Sequence, residues 1–388
     1  MYKVLTYNNI SLAGLERFPR DRYEVASEMQ HPDAILLRSF NLHGIPIPES
    51  VCCVGRAGVG VDNIPVEDYS HCGIPVFNAP GANANAVKEL VIAGMLLAAR
   101  NICQAWDFTR TLKGDDETVR QVVEKSKKSF TGHELAGRTL GVLGLGSIGV
   151  RVANTAVALG MQVIGFDPLL TVDSAWQLSS SVTKAASIDE LIARADFVSL
   201  HVPLDERTRG MIDPPRLRLM KKGAVLLNFS RDGIVDEAAV CTALEEGKLG
   251  AYVSDFPTPA LIGRKEVILL PHIGASTWEA EDNCAVMVAD RIRDYLENGN
   301  IRDSVNFPTV DMPRNEGYRI GVANENIPNM VGQISSALAE ADLNIIDLLN
   351  KSRGAYAYTL IDVNAVVPAE TLARIRGIRG VLSVRAIG

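Results

Sequence analysis

The sequence predicts an α/β chain: two doubly wound parallel-sheet units and a smaller βαββαβ unit at the C-terminal end. Three observations carry this reading. Short apolar runs alternate with helical stretches twice over, the rhythm of parallel sheets covered by helices. Two long apolar-periodic helices, about Asn85 to Leu112 and about Trp278 to Glu297, bracket the second set of runs. Beyond a polar, proline-bearing segment, the order of the elements changes.

In the first unit Val4–Tyr7, Ala34–Leu37, Val51–Val54 and Pro75–Phe77 read as buried strands. Asn83 stands where it can cap the long helix that follows, and the charged stretch Lys113–Lys128 reads as an exposed helix plus a connection. The second unit has strands at Leu140–Leu143, Gln162–Phe166, Phe197–Leu200, Val225–Asn228, Tyr252–Ser254 and Val267–Leu270. The helix after it repeats Ala285, Val288, Ala289, Ile292 and Leu296 at helical spacing. The two long helices carry the chain into the second unit and back. The expected domains are therefore 1–98 with 278–306, then 99–277, a linker 307–317, and 318–388. In that last segment the strands are Tyr318–Ala323, Asn344–Leu349, Ala355–Val363 and Val381–Ile387. Its helices are Pro328–Ala341, with Val331, Ile334 and Leu338 on one face, and Pro368–Ile375. That order is the ferredoxin-like one.

Composition narrows the function. A net charge of -7 argues against a nucleic-acid partner, although local arginines can still serve an anionic substrate. The six cysteines, Cys52, Cys53, Cys72, Cys103, Cys241 and Cys284, form no C-x-x-C pair and no zinc-like spacing. They read as reduced core residues, with no metal site expected. MYKVLTYNN has no apolar signal core, and the longest apolar stretch, Leu90–Ala99, is too short to span a bilayer. A cytoplasmic enzyme with no membrane partner is the expectation.

The strongest local signal is Gly144-Leu-Gly-Ser-Ile-Gly149, directly after an apolar strand and opening an apolar-periodic helix. Gly144 serves the tight turn, and Gly146 lets backbone approach a pyrophosphate. Gly149 allows close helix–strand packing, and the helix N-terminus offers free N–H groups to the anion. The next strand ends in Asp167, 18 residues after Gly149. A carboxylate there hydrogen-bonds the adenosine ribose and repels a 2′-phosphate, so NAD is favoured over its phosphorylated form.

Three further strand ends carry chemistry: Asn228-Phe-Ser-Arg-Asp-Gly-Ile-Val-Asp236, Ser254-Asp-Phe-Pro257 and Pro271-His-Ile-Gly-Ala-Ser-Thr277. Ligands of open parallel sheets bind at such carboxyl ends. Arg231 can clamp a carboxylate in bidentate fashion, and His272 can take a hydroxyl proton as hydride leaves. Asp255 is the acid beside them. His31, His43, His71 and His133 belong to no such group and read as structural or exposed.

With the glycine fingerprint, these residues resemble the D-2-hydroxyacid dehydrogenase family. Val54-Gly-Arg-Ala-Gly-Val-Gly-Val-Asp-Asn63 and Pro271–Thr277 fit its phosphoglycerate branch. The resemblance implies a Rossmann-type nucleotide domain splitting a second α/β domain. It implies hydride transfer between NAD and 3-phosphoglycerate or a related 2-hydroxy acid, the opening step of L-serine synthesis. Arg231 would bind substrate, His272 would be the acid/base, and Asp255 would approach the nicotinamide carboxamide. Ser147, Ile148, His201, Pro203, Phe229, Ser230 and Gly274 would line the cofactor. Arg38, Ser39 and the backbone of Arg56, Ala57, Gly58, Val59 and Gly60 would receive the substrate.

One stretch departs from the family, which follows its strand-end Asp with V-F-x-x-E-P and pairs that Glu with the catalytic His. Here the residues are Asp255-Phe-Pro-Thr-Pro259. The partner of His272 is then Asp255, Glu266 or no carboxylate at all. The C-terminal unit resembles an ACT module, which implies an amino-acid effector, L-serine, held by Asn324, Asn326 and Asn344. Such a module also pairs subunits, so a homodimer or homotetramer is expected. The competing readings are a reductase of glyoxylate, hydroxypyruvate or 2-oxoglutarate, and a non-enzymatic NAD-sensing protein. The presence of both Arg231 and His272 weighs against the latter.

Overall fold

The computed structural model describes residues 1–388 and divides into two compact units, 1–83 with 278–388, and 84–277. The first unit opens with a five-stranded parallel sheet of β1 (Tyr2–Tyr7), β2 (Tyr23–Ala26), β3 (Ala34–Leu37), β4 (Cys53–Arg56) and β5 (Val76–Phe77). Its order is β2-β1-β3-β4-β5. Strand β2 escaped the sequence reading because only its first residue is buried, so no apolar run marks it. Val51 is buried but precedes its strand, which begins at Cys53.

The helix Trp278–Asn298 covers this sheet, with Ala285, Val288, Ala289, Ile292 and Leu296 all buried. Gly55 in β4 makes room for it: a Cβ there would lie 2.4 Å from Val288.

The second unit is a seven-stranded sheet of β6 (Thr139–Leu143), β7 (Gln162–Phe166), β8 (Val182–Lys184), β9 (Phe197–Leu200), β10 (Ala224–Asn228), β11 (Leu249–Ser254) and β12 (Val267–Leu269). All its pairs are parallel, in the order β12-β11-β10-β9-β6-β7-β8. Strand order reverses at β6, between β7 and β9, which opens a crevice at the carboxyl ends there.

The chain enters this unit earlier than the sequence suggested. Helix Ala84–Ala99 belongs to it, and Gly94 packs against Phe229 and Val253. The long helix read as reaching Leu112 is broken at Asn101, whose φ of 50° is left-handed, and resumes at Ile102–Arg110. Asn83 does not cap: its Oδ1 is buried without a partner. The charged stretch forms an exposed helix, Asp116–Ser126, capped by Asp115, which accepts from the Thr118 amide.

The C-terminal strands are β13 (Tyr318–Glu325), β14 (Ile345–Arg353), β15 (Tyr356–Val363) and β16 (Val381–Ile387). They form an antiparallel sheet in the order β14-β15-β13-β16, as expected for βαββαβ. Helix Met330–Ala339 buries Met330, Ile334, Ala337 and Leu338; Val331, read as a core position, is 36% exposed. This sheet shares a buried cluster with the first unit, where Tyr358, Leu360 and Ile387 meet Ile292, Tyr295 and Leu296.

A fully buried arginine ties the two parts of this unit together. Arg319 donates from Nε and Nη2 to both oxygens of Asp362, at 2.7 and 2.8 Å. It also donates to the carbonyls of Asn298, Met312 and Pro313. All five guanidinium N–H groups are thereby satisfied. Both side chains of the pair are 0% exposed. Removing the acid would leave an uncompensated buried charge, so Asp362→Ala should destabilise the chain by about 3–5 kcal/mol. The urea midpoint measures this, and a loss below about 1 kcal/mol would show that the pair contributes little beyond a surface bridge.

Candidate functional site

The glycine loop of the second unit sits at the crevice. Gly144 has φ of +88°, and a Cβ there would lie 2.4 Å from the His201 carbonyl. A Cβ on Gly149 would come within 1.9 Å of the Gly144 carbonyl. At Gly146 a Cβ meets nothing within 4 Å, and Gly146 and Ser147 are exposed. Two glycines are therefore required by packing, and the middle one faces open space ahead of helix Ser147–Ala158. That is the cradle a pyrophosphate needs.

Asp167 ends β7 with its Oδ2 accepting from the Leu145 amide at 2.8 Å and its Oδ1 from Leu169. These two bonds hold it against the glycine loop. Ile148 is half-buried in the same turn. The donor set fits a dinucleotide.

Across the crevice His201 follows β9, its amide bonded to the Leu143 carbonyl at 2.7 Å. Its Nε2 lies 2.8 Å from Ser199 Oγ, while Nδ1 is buried without a partner. Pro203 is exposed, and its carbonyl accepts from Thr208. Phe229 is buried, and Ser230 Oγ donates to the Val202 carbonyl at 2.6 Å. The tails of β9 and β10 are thus tied side by side.

Arg231 and His272 belong to one hydrogen-bonded frame. Asn228, 2% exposed, donates from Nδ2 to the Arg231 carbonyl at 3.0 Å, and its own carbonyl accepts from the Asp255 amide at 3.2 Å. Asp255, also 2% exposed, accepts from the amides of Ile273 and Gly274 at 2.9 and 2.7 Å. His272 has φ of +56°, a left-handed conformation costly for a residue with a Cβ, which these two bonds help hold. Its exposed imidazole packs edge-on to Phe256, with centroids 5.1 Å apart. The Arg231 guanidinium is in no salt bridge and donates from Nη1 to the Ser230 carbonyl.

Of the three alternatives for the partner of His272, these contacts leave the last, an imidazole without a carboxylate. Neither carboxylate candidate pairs with the His272 ring. Asp255 spends both oxygens on backbone amides, and Glu266 lies before β12, at the opposite end of that strand from His272. In the Pro-Thr-Pro stretch, Thr258 Oγ1 donates to Glu237 instead. Asn228 is the residue the sequence reading undervalued. It was legible only as the head of the Arg231 motif, and its bridging role needs the neighbouring strand.

In the first unit Arg38 pairs with Glu281 at 2.6 Å, both partly exposed. The Arg38 carbonyl accepts from Arg56 Nε and Asn63 Nδ2. The amides of Ser39 and Phe40 donate to Asn8 Oδ1. From Arg56 to Gly60 the chain turns tightly, with Gly58 N–H on the Arg56 carbonyl at 2.7 Å and Ala57 N–H on Leu37. Asn78 fixes the Val59 carbonyl. Sequence reading missed Asn8, Asn78 and Glu281, and took Asn63 only as the end of a motif, because each acts across non-adjacent segments.

The effector trio is not assembled within one chain. Asn324 is buried in β13 with Oδ1 unpartnered, and Asn326 is exposed and bonded to Gly354 and Ala355. Asn344 precedes Ile345, which pairs with Val363, whereas Asn324 pairs with Ala357. Six residues of β15, about 20 Å, separate those positions.

No group of three or more His, Cys, Asp or Glu is arranged to hold a metal, and all six cysteines are free. No helix is long and apolar enough to cross a membrane.

Comparisons bear on this site. The family described as "D-isomer specific 2-hydroxyacid dehydrogenase, NAD binding domain" matches residues 92–274. D-3-phosphoglycerate dehydrogenase of Methanocaldococcus jannaschii is 37% identical over 84% of the chain, which spans 61% of that relative's length. The Mycobacterium tuberculosis protein of the same name is 33% identical over 95% of the chain, which covers 73% of it. Among solved structures, a cofactor (NAD+)-bound 3-phosphoglycerate dehydrogenase from Entamoeba histolytica superimposes with a TM-score of 0.60 at 25% identity, covering 79% of this chain and 98% of that one.

Burial pushes the His201 imidazole down from 6.5 to about 3. The folded chain keeps it neutral, while the unfolded chain takes up a proton below about pH 6.5. Stability contributed by this residue is therefore lost as pH falls from about 6.5 toward 3, at up to about 1.4 kcal/mol per pH unit. His201→Asn, which does not ionise, should flatten that acid limb in urea unfolding. An unchanged limb would show that other groups govern it.

Proposed function

The chain belongs to the D-isomer specific 2-hydroxyacid dehydrogenases, and from that premise we propose that it is an NAD-dependent enzyme oxidising 3-phosphoglycerate to 3-phosphohydroxypyruvate, the first step of L-serine synthesis. The observation that carries the reading is the frame of Asn228 and Asp255, which joins Arg231 and His272 at neighbouring strand ends. NAD, when bound, supplies the hydride acceptor. Gly144, Gly146, Ser147, Ile148 and Gly149 would hold its pyrophosphate, and Asp167 its ribose. His201, Pro203, Phe229, Ser230 and Gly274 would wall the pocket.

Arg231 grips the substrate carboxylate with two parallel N–H groups, which orients the carbon to be oxidised. His272 receives the proton of the 2-hydroxyl and returns it in the reverse direction. Asp255 holds the His272 loop rather than the ring. In the turn from Arg56 through Ala57, Gly58 and Val59 to Gly60 the N–H groups of Val59 and Gly60 serve the carboxylate, those of Ala57 and Gly58 being bonded to the Leu37 and Arg56 carbonyls, and Arg38 with Ser39 takes the phosphate. Free cysteines and the biosynthetic role suit a cytoplasmic enzyme.

NADH formation by the full chain with 3-phosphoglycerate and NAD tests the assignment. His272→Gln should lower kcat by about 10²–10⁴-fold, a range typical of a lost acid/base. Arg231→Ala should lower kcat/KM by a comparable factor. A variant retaining wild-type turnover would remove its residue from the mechanism. Including L-serine tests the C-terminal module. An effector held by both Asn326 and Asn344 must be shared between two copies of the chain, so serine inhibition should accompany a homodimer or homotetramer. Inhibition of a monomer would refute that sharing.

The Arg38–Glu281 pair favours a second reading. If Glu281 keeps Arg38, the substrate is an unphosphorylated 2-oxo acid such as glyoxylate, hydroxypyruvate or 2-oxoglutarate. Arg38→Ala separates the two. It should raise KM for 3-phosphoglycerate several-fold more than for an unphosphorylated 2-hydroxy acid. Equal effects would count against phosphate recognition.

A further inference from the structure

A cavity of about 640 Å³ lies in the first unit, where loops of the parallel sheet meet the C-terminal sheet. Val51, Cys52, Tyr295, Arg376, Ser383 and Arg385 are among its walls. Ligand sites are commonly about 300–1,000 Å³, so the space suits a small molecule. Its parts are held in place: Ser383 Oγ donates to the Gly73 carbonyl at 3.1 Å, bridging the two sheets.

The electrostatics of the cavity are unbalanced. Arg385 stacks over the Tyr295 ring at 4.6 Å, and its Nη2 reaches the Leu296 carbonyl only at 3.4 Å. Its Nη1 is buried without a hydrogen-bond partner. Arg376 donates to the Val384 carbonyl at 3.2 Å, and neither guanidinium is in a salt bridge. The neighbouring acidic hydrogens do not supply a counter-charge. Burial pushes the Tyr295 phenol up to about 12 and raises the Cys52 thiol as well. Glu49, the single carboxylate of the lining, is exposed. An unpaired buried charge is costly, and a planar guanidinium is matched by a carboxylate or phosphate.

We propose that this cavity binds a small organic anion, a carboxylate or a phosphate monoester, through Arg385 and Arg376. The site lies in the other compact unit from Arg231 and His272 and does not depend on the activity proposed above.

Calorimetric titration of the full chain with malonate, and separately with inorganic phosphate, tests it at ionic strength matched with chloride. The titrations use an Arg231→Ala/Arg38→Ala background, so that proposed substrate contacts do not contribute. Saturable binding is expected, weakened by at least about tenfold in Arg385→Met, the scale of a lost charge-assisted pair. Arg376→Glu, on the exposed face of helix Ala369–Arg376, should weaken it several-fold and serves where Arg385→Met fails to fold. Binding of malonate alone assigns a carboxylate ligand, and of phosphate alone a phosphate one. Absence of saturable binding by either probe, or unchanged affinity in Arg376→Glu, overturns the proposal.

Discussion

The buried carboxylate of Asp255 holds the loop on which His272 stands, and the geometry of the strand ends in the second unit depends on that restraint. Two amides, Ile273 and Gly274, converge on its oxygens, and its own amide is bonded to Asn228. Without these bonds a left-handed histidine has little reason to persist, because its Cβ makes that conformation unfavourable. Asp255 can do this only because β10 and β11 are adjacent and parallel, so that their carboxyl ends emerge together. The topology of the sheet thus becomes the geometry of the site.

The same restraint explains how the chain manages without the family's paired glutamate. In the family pattern a carboxylate would fix the imidazole directly. Here the ring packs on Phe256 while the backbone beneath it is anchored. Orientation comes from the loop and from an aromatic edge instead of from a charged partner.

Much of this was legible in the sequence, for identifiable reasons. The strands Ala34–Leu37, Gln162–Phe166 and Phe197–Leu200 were found to the residue because each is an uninterrupted or nearly uninterrupted apolar run. The glycine loop was legible because three constraints on backbone space fall at fixed spacing. Strands β2 and β8 were not, since all their side chains but Tyr23 are half-exposed or exposed and carry no run. The break at Asn101 was hidden because a left-handed residue can interrupt a helix without a proline or glycine to announce it. Site partners such as Asn228, Asn63 and Glu281 were the least visible. Their roles arise between segments distant in sequence, and no local pattern encodes such a pairing.

Two arginines of the C-terminal sheet show how burial separates structure from recognition. Arg319 and Arg385 sit on adjacent antiparallel strands, β13 and β16. Arg319 spends every donor on Asp362 and three carbonyls, so its charge is closed within the fold and nothing remains for a ligand. Arg385 lies against a phenol ring with one long carbonyl contact and a nitrogen left over. The fold provides Arg319 with an acid on the neighbouring strand and provides Arg385 with a cavity. Both cost desolvation energy, but only the first recovers it inside the chain. The second has its compensation still to find, and an anion entering the cavity is the source consistent with its shape and charge.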